Sequence, residues 1–177
     1  AGYSRFEHLH DGIQLDLVQF VPLDDPVKIS VLTVENRSGR TRRLSVTAYV
    51  EWVLGTSRGA SGPRLVTALE PETEAILVRN PWNTEFDGRV AFLDLGGRQT
   101  AWTADRTEFL GRNGTPDRPA ALDRGHRLQK SGGAGLDPCG ALQTSFELAN
   151  GARTKGVVVL GEAVSYTPLT LPTLSSV

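Results

Sequence analysis

Methionine is missing from the sequence, and cysteine occurs once, at Cys139, among 177 residues. One cysteine excludes an intrachain disulfide, so nothing in the composition points to an oxidising compartment. Set in Asp137-Pro138-Cys139-Gly140, it reads as a small buried or turn residue. The histidines, His8, His10 and His126, stand in no context that would make one the partner a nucleophilic thiol needs. Charge of one sign is lacking as well: the formal net charge is −1 and the pI about 6.4. The arginines are spread along the chain among carboxylates, without a basic stripe, which argues against nucleic acid or an anionic membrane surface as a partner. No apolar run approaches the roughly 20 residues of a membrane-spanning helix. The residues given show no charged-then-apolar run of signal-peptide type. Helical spacing of apolar residues is also missing over any stretch of about a dozen residues.

What is present is alternation. Residues 13–21 alternate apolar and polar side chains before turning apolar, and a turn with two prolines and two aspartates, 22–26, closes them. Residues 27–34 alternate again, followed by the turn Asn36-Arg37-Ser38-Gly39. Residues 43–54 form a long strand pattern with Leu44, Val46, Ala48, Val50 and Trp52 on one face. After a Gly- and Ser-rich loop at 55–63 come short strand patterns at 65–69, 75–78, 89–95 and 100–103. From 105 to 137 glycine, proline and charge dominate; a loop of about 30 residues is unusual in a compact domain and often functional. Strand patterns return at 141–148 and 154–160, joined by Asn150-Gly151, a strong hairpin signal. Short strands at regular spacing without helices predict an all-β, two-sheet antiparallel sandwich. The clean alternation predicts sheets packed on one face and wet on the other.

The sequence opens in mid-pattern and is read as a segment of a longer protein. Its end, Val164-Ser165-Tyr166-Thr167-Pro168-Leu169 and onward, has no compositional link to the preceding strand. It looks like the translation of an adapter oligonucleotide, with a native Pro- and Thr-rich linker as the alternative. The domain is therefore expected to span 1–162, and 163–177 to be a non-native tail excluded from fold reasoning.

Few residues carry self-sufficient chemistry. His8 and His10, two apart on a strand, point to one face, but no third ligand has suitable spacing, so no metal site is expected. Ser131-Gly132-Gly133-Ala134-Gly135 lacks the Lys-Ser/Thr and the helix of a phosphate loop and reads as a flexible turn. Asn36-Arg37-Ser38 and Asn113-Gly114-Thr115 match the glycosylation pattern by chance. Of the tryptophans, Trp52 is in phase with a core face, whereas Trp82 and Trp102 lie at strand ends where a ring could meet a sugar. The densest cluster of polar chemistry is 103–114, with Asp105, Arg106, Glu108, Arg112 and Asn113 around Phe109. Guanidinium and amide groups there suit sugar hydroxyls or phosphate. A salt-bridged loop anchor, with Asp105 holding Arg106 or Arg112, is the competing reading.

Several stretches resemble one family in order along the chain. These are Tyr3-Ser4-Arg5-Phe6-Glu7-His8, the run 21–29 opening Val21-Pro22-Leu23-Asp24-Asp25-Pro26, and the strand 43–55 with Tyr49-Val50-Glu51-Trp52. Arg79-Asn80-Pro81-Trp82-Asn83, the segment from Asp105-Arg106 to Asn113-Gly114, and 133–143 with Asp137-Pro138-Cys139-Gly140 complete the set. Together they resemble the N-terminal sandwich domain of the inverting disaccharide phosphorylases, which include cellobiose and chitobiose phosphorylases and once bore a glycosyltransferase family name. Within it the likeness points to the phosphorylase-like C-terminal region of cyclic β-1,2-glucan synthases. The resemblance implies a galactose-mutarotase-like supersandwich, incomplete here, followed by a helical linker and an (α/α)6 catalytic barrel. The barrel would hold the catalytic aspartate and the phosphate site. Inverting phosphorolysis takes inorganic phosphate as co-substrate in place of water; no other cofactor is implied.

The resemblance also implies a homodimeric parent acting on β-glucan oligosaccharides and setting chain length before cyclisation. That parent would be anchored in the inner membrane, with this domain soluble on the cytoplasmic side. In such enzymes the sandwich sends a loop toward the active-site entrance, and by position Arg106, Glu108, Arg112 and Asn113 are the expected substrate-proximal residues. The expected function is thus an accessory carbohydrate-binding and dimerisation domain without turnover of its own. A free-standing carbohydrate-binding module and a purely structural sandwich are the alternatives.

Overall fold

The computed structural model describes residues 2–85, 88–123 and 126–164. In chain order the strands are β1 (Tyr3–His10), β2 (Ile13–Phe20), β3 (Val27–Asn36) and β4 (Arg42–Glu51), followed by a one-turn helix α1 (Arg58–Ser61). Then come β5 (Val66–Leu69), β6 (Ile76–Arg79), β7 (Arg89–Asp94) and β8 (Ala101–Asp105), and the short helix α2 (Arg106–Leu110). β9 (Pro138–Leu148) and β10 (Arg153–Val164) close the described chain. Every strand pairing is antiparallel. Seven strands form one sheet in the order β1-β2-β3-β10-β7-β6-β5, and three form the other in the order β4-β9-β8. The expected all-β sandwich is present. The expected tail begins inside β10, which continues through Val164; positions 165–177 lie outside the described residues.

The predicted faces assemble as alternation requires. Ala48, Val50 and Leu142 of the small sheet, with Trp52 just beyond β4, join Ile76, Val78, Leu93, Val158 and Leu160 of the large one in one core cluster. Trp52 is 5 % exposed and Leu93 and Leu142 fully buried, so the core sits where the sheets overlap. The hairpin turn falls at Gly151, whose φ of 77° is the left-handed conformation an Asn-Gly turn provides. The small sheet departs from the one-wet-face expectation. Its outer face carries Tyr49, Ala101, Cys139 and Ala141, and it is roofed by Phe109, Leu110, Ala121 and Leu128 from the 105–137 excursion. Strand periodicity reports the sheet-facing residues but not what later folds back over the other face.

The return limb of that excursion is bonded to both sheets. Ala104 N–H donates to Ser131 O (2.8 Å) and Thr67 N–H to Gly133 O (3.0 Å). Gly133 N–H in turn donates to Thr67 Oγ1 (3.0 Å). Residues 131–135, expected as a flexible turn, are therefore a stitch between β8 and β5. Trp102, placed near a loop by the sequence, is half-buried and packs on the core beside Gly132.

His8 and His10 lie exposed on β1, an edge strand of the large sheet, with ring centroids 6.2 Å apart. Among the described residues no three of His, Cys, Asp and Glu converge as a metal site. No helix among them is long and apolar enough to cross a membrane.

Candidate functional site

The C-terminal end of β4 brings four charged residues from distant parts of the chain into one ring. Glu51 ends β4, Arg58 opens α1, Arg106 opens α2, and Asp137 immediately precedes β9. Arg106 Nε donates to Glu51 Oε1 at 2.7 Å, and its terminal nitrogen reaches Asp137 Oδ2 at 3.5 Å. Arg58 lies against the other side, donating to Asp137 Oδ1. Its Nε stands 3.2 Å from Glu51 Oε2, as an ion pair without hydrogen-bond alignment. Tyr49 O–H also donates to Glu51 Oε1, at 2.8 Å. The hydrogen bond from Arg106, with help from that of Tyr49, holds the Glu51 carboxyl below its ordinary value of 4.5 despite partial burial. Burial first, and the hydrogen bond to Glu51 second, push the Tyr49 hydroxyl up. Burial likewise raises the Cys139 thiol, with the nearby carboxylates of Asp105 and Asp137 adding to it. At zero exposure, Cys139 is a packing residue, as expected.

The ring anchors the base of the 103–114 segment. Asp105, a candidate partner for arginine in the sequence, instead caps α2 by accepting from Thr107 N–H at 2.9 Å. Glu108 accepts from Thr103 Oγ1 (2.6 Å), from Ser131 Oγ (2.8 Å) and from Gln129 N–H, pinning the outgoing limb to the returning one. Phe109 stacks on the Tyr49 ring at 4.4 Å between centroids, and Phe109 and Leu110 are each 2 % exposed. The chain then turns sharply. Gly111 has φ 88°, and a Cβ at Gly114 would sit 1.7 Å from Leu110 O, so only glycine fits there. Between these glycines Arg112 and Asn113 are exposed at the tip. The four residues expected near substrate thus divide: Arg106 and Glu108 hold the base through internal bonds, and Arg112 and Asn113 are presented outward.

A second feature shares α1. Ala60 and Ser61 of α1 form part of a cleft of about 830 Å³ that also involves Leu54, Asn80 and Trp82. Trp82 is 72 % exposed, with the Arg64 guanidinium 6.0 Å from its ring centroid. Ring and cleft both lie at the end of the sandwich where β4 finishes and β7 begins. No local pattern announced Glu51, Arg58 or Asp137 as partners, because they are joined only through tertiary folding. The Asn80-Pro81 dipeptide was a readable turn signal for the Trp82 connection.

A family model described as "Glycosyl hydrolase 94, supersandwich domain" matches residues 1–170. The chain belongs to this family. Relatives align along most of the chain. The cyclic beta-(1,2)-glucan synthase NdvB of Rhizobium meliloti (strain 1021) is 34 % identical over 162 residues, covering 92 % of this chain and 6 % of that protein. The solabiose phosphorylase of Paenibacillus borealis is 31 % identical over 85 % of this chain and 20 % of its own length. The N,N'-diacetylchitobiose phosphorylase of Vibrio furnissii is 25 % identical over 90 % of this chain and 20 % of its own. This glycosyl hydrolase 94 supersandwich therefore spans only 6 to 20 % of the length of these relatives. A solved structure described as a kojibiose phosphorylase from the human microbiome shares the fold, with a TM-score of 0.50 at 6 % identity over 92 % of this chain and 18 % of that one.

Proposed function

We propose that this supersandwich is the accessory domain of an inverting glycoside phosphorylase-type enzyme acting on β-glucan, and that its 103–114 tip borders the substrate entrance of a catalytic domain carried elsewhere in the parent. The observation that carries the reading is the construction of that segment. Its base is fixed by the Glu51–Arg58–Arg106–Asp137 ring and by Glu108, while its tip offers a guanidinium and an amide with no side-chain bulk on either flanking glycine. A fixed base and an open polar tip are what positioning a hydroxyl-rich ligand requires, because ordering a mobile loop on binding would weaken affinity. In this reading Arg106 and Glu108 are positioning residues, and Arg112 and Asn113 meet the saccharide. The partner domain is an (α/α)6 barrel, inorganic phosphate is the co-substrate there, and the parent is a homodimer. The glucan is the β-1,2 type named in the synthase relative, with chain-length control before cyclisation as the task. The parent sits at the inner membrane with this domain on its cytoplasmic side.

The test is steady-state phosphorolysis by the full-length parent with linear β-1,2-gluco-oligosaccharides. Replacing Arg112 and Asn113 together with alanine is expected to raise KM for the saccharide about tenfold, a loss near 1.4 kcal/mol, with KM for phosphate and the oligomeric state unchanged. Unaltered kinetics with intact dimers would leave the purely structural sandwich as the better description.

A further inference from the structure

We propose that the cleft beside Trp82 is a binding site for a neutral gluco-oligosaccharide, with a pyranose ring stacked on the exposed indole. The cleft's volume, about 830 Å³, falls within the range of small-molecule pockets, roughly 300–1,000 Å³.

Its aromatic residue is held out on purpose-built backbone. Asn80 Oδ1 accepts from Trp82 N–H at 3.1 Å, and Asn80 Nδ2 donates to Leu54 O at 2.7 Å, fastening the turn to the segment that follows β4. Asn83 N–H donates back to Asn80 O at 3.2 Å. Proline at position 81 removes further freedom. A tryptophan left 72 % exposed forgoes apolar burial, and a turn bonded at three points keeps it from folding inward.

The charges select the ligand class. Among the described residues that line the cleft, Arg64, Arg89, Glu85 and Glu162 carry charge, two of each sign, which favours a neutral ligand over a phosphate or nucleotide. Arg89 pairs with Glu162 at 2.5 Å, and Arg64 covers one side of the indole. The remaining polar lining is of hydroxyl and amide type, from Thr56, Thr84 and Asn83, which both donates to and accepts from sugar hydroxyls. A β-glucosyl ring has all its hydroxyls equatorial and an axial C–H face, the surface that stacks on indole.

Naming a β-glucan rests on the proposed function; the stacking site itself does not. The experiment is an NMR titration of the full chain, reading the indole N–H signals of its three tryptophans, with β-1,2-, β-1,3- and β-1,4-gluco-oligosaccharides in parallel. The Trp82 signal, assigned by its loss in Trp82→Tyr, is expected to move with saccharide while that of buried Trp52 stays in place. Trp82→Ala is expected to weaken binding about tenfold or more, and Trp82→Tyr by only about threefold, since a phenol ring keeps part of the stack. Absence of any response to all three series, or binding unchanged in Trp82→Ala, would overturn the site and leave the cleft as a protein-contact surface. Response to the β-1,3 or β-1,4 series alone would sustain the site and count against the β-1,2 assignment. The tip and the cleft are read by different variants in different assays, so either idea can fail without the other.

Discussion

Asn36 shows how much one side chain can hold when it has no exposed surface at all. Its Nδ2 donates to Arg40 O (2.8 Å) and Leu148 O (2.7 Å), and its Oδ1 accepts from Ser38 N–H and Ser38 Oγ. It therefore ties the β3–β4 turn to the end of β9. Read from the sequence, Asn36 was one residue of a turn and of a chance glycosylation match; its burial removes any glycosyl acceptor role. Alanine there leaves two carbonyls without their donor, and each orphaned buried group costs about 1–3 kcal/mol. Asn36→Ala is expected to lower the unfolding free energy by about 2–3 kcal/mol, measurable as a shift of the urea midpoint at unchanged m-value. An unchanged midpoint would mean that water or the backbone replaces those bonds. The hydrogen-bond capacity of Asn36 was legible in its type, but its partner Leu148, 112 residues away, was not.

At the scale of elements, α2 and the tip after it depend on the charge ring. Glu51 is the residue at which β4 stops contributing to the core and starts contributing to electrostatics. Its carboxyl is held below its ordinary value of 4.5, first by the Arg106 hydrogen bond. A carboxyl depressed in the folded state adds stability above its unfolded value and loses it as pH falls through the folded one. The stability due to Glu51 should therefore be complete at neutral pH and fade below about pH 4.5. Glu51→Gln is expected to be less stable than wild type by about 1 kcal/mol at pH 7, the order of a solvent-screened pair. That gap should narrow as pH falls below about 4.5 in urea titrations; a gap independent of pH would mean the ring acts by packing alone. The strands themselves were legible because period-two alternation is local, and so was the presence of a long break in that alternation at 105–137. The helix inside it, only five residues long, was not, since one turn leaves no 3.6-residue periodicity to read. What marks it is Asp105 as a cap, a signal visible only once the helix is known.

For the molecule as a whole, the two sheets are unequal, and the larger one overhangs. The core-facing surface continues past β4 through Val34 and Leu32 to Leu15, Leu17 and Phe6. Phe6 there is 56 % exposed, and Tyr3 and Leu9 on the opposite face of β1 are 71 % and 58 % exposed. An edge strand with apolar side chains on both faces is a template for pairing with another copy. Leu9→Lys, which adds a charge on the exposed edge at little packing cost, is expected to slow growth of light scattering on heating several-fold relative to wild type. Equal scattering would place the association elsewhere. By itself the sequence determined the strand set, the antiparallel class, the Asn150-Gly151 hairpin, the burial of Trp52, and the family, because each rests on neighbours along the chain or on order along it. Tertiary structure alone decided that Arg106 and Glu108 turn inward while Arg112 and Asn113 face out. It also decided that Trp102 packs while Trp82 projects, and that the small sheet is covered on both faces. Those outcomes depend on which side chains meet across long sequence separations, and pairing energies of that kind leave no periodic trace in the chain.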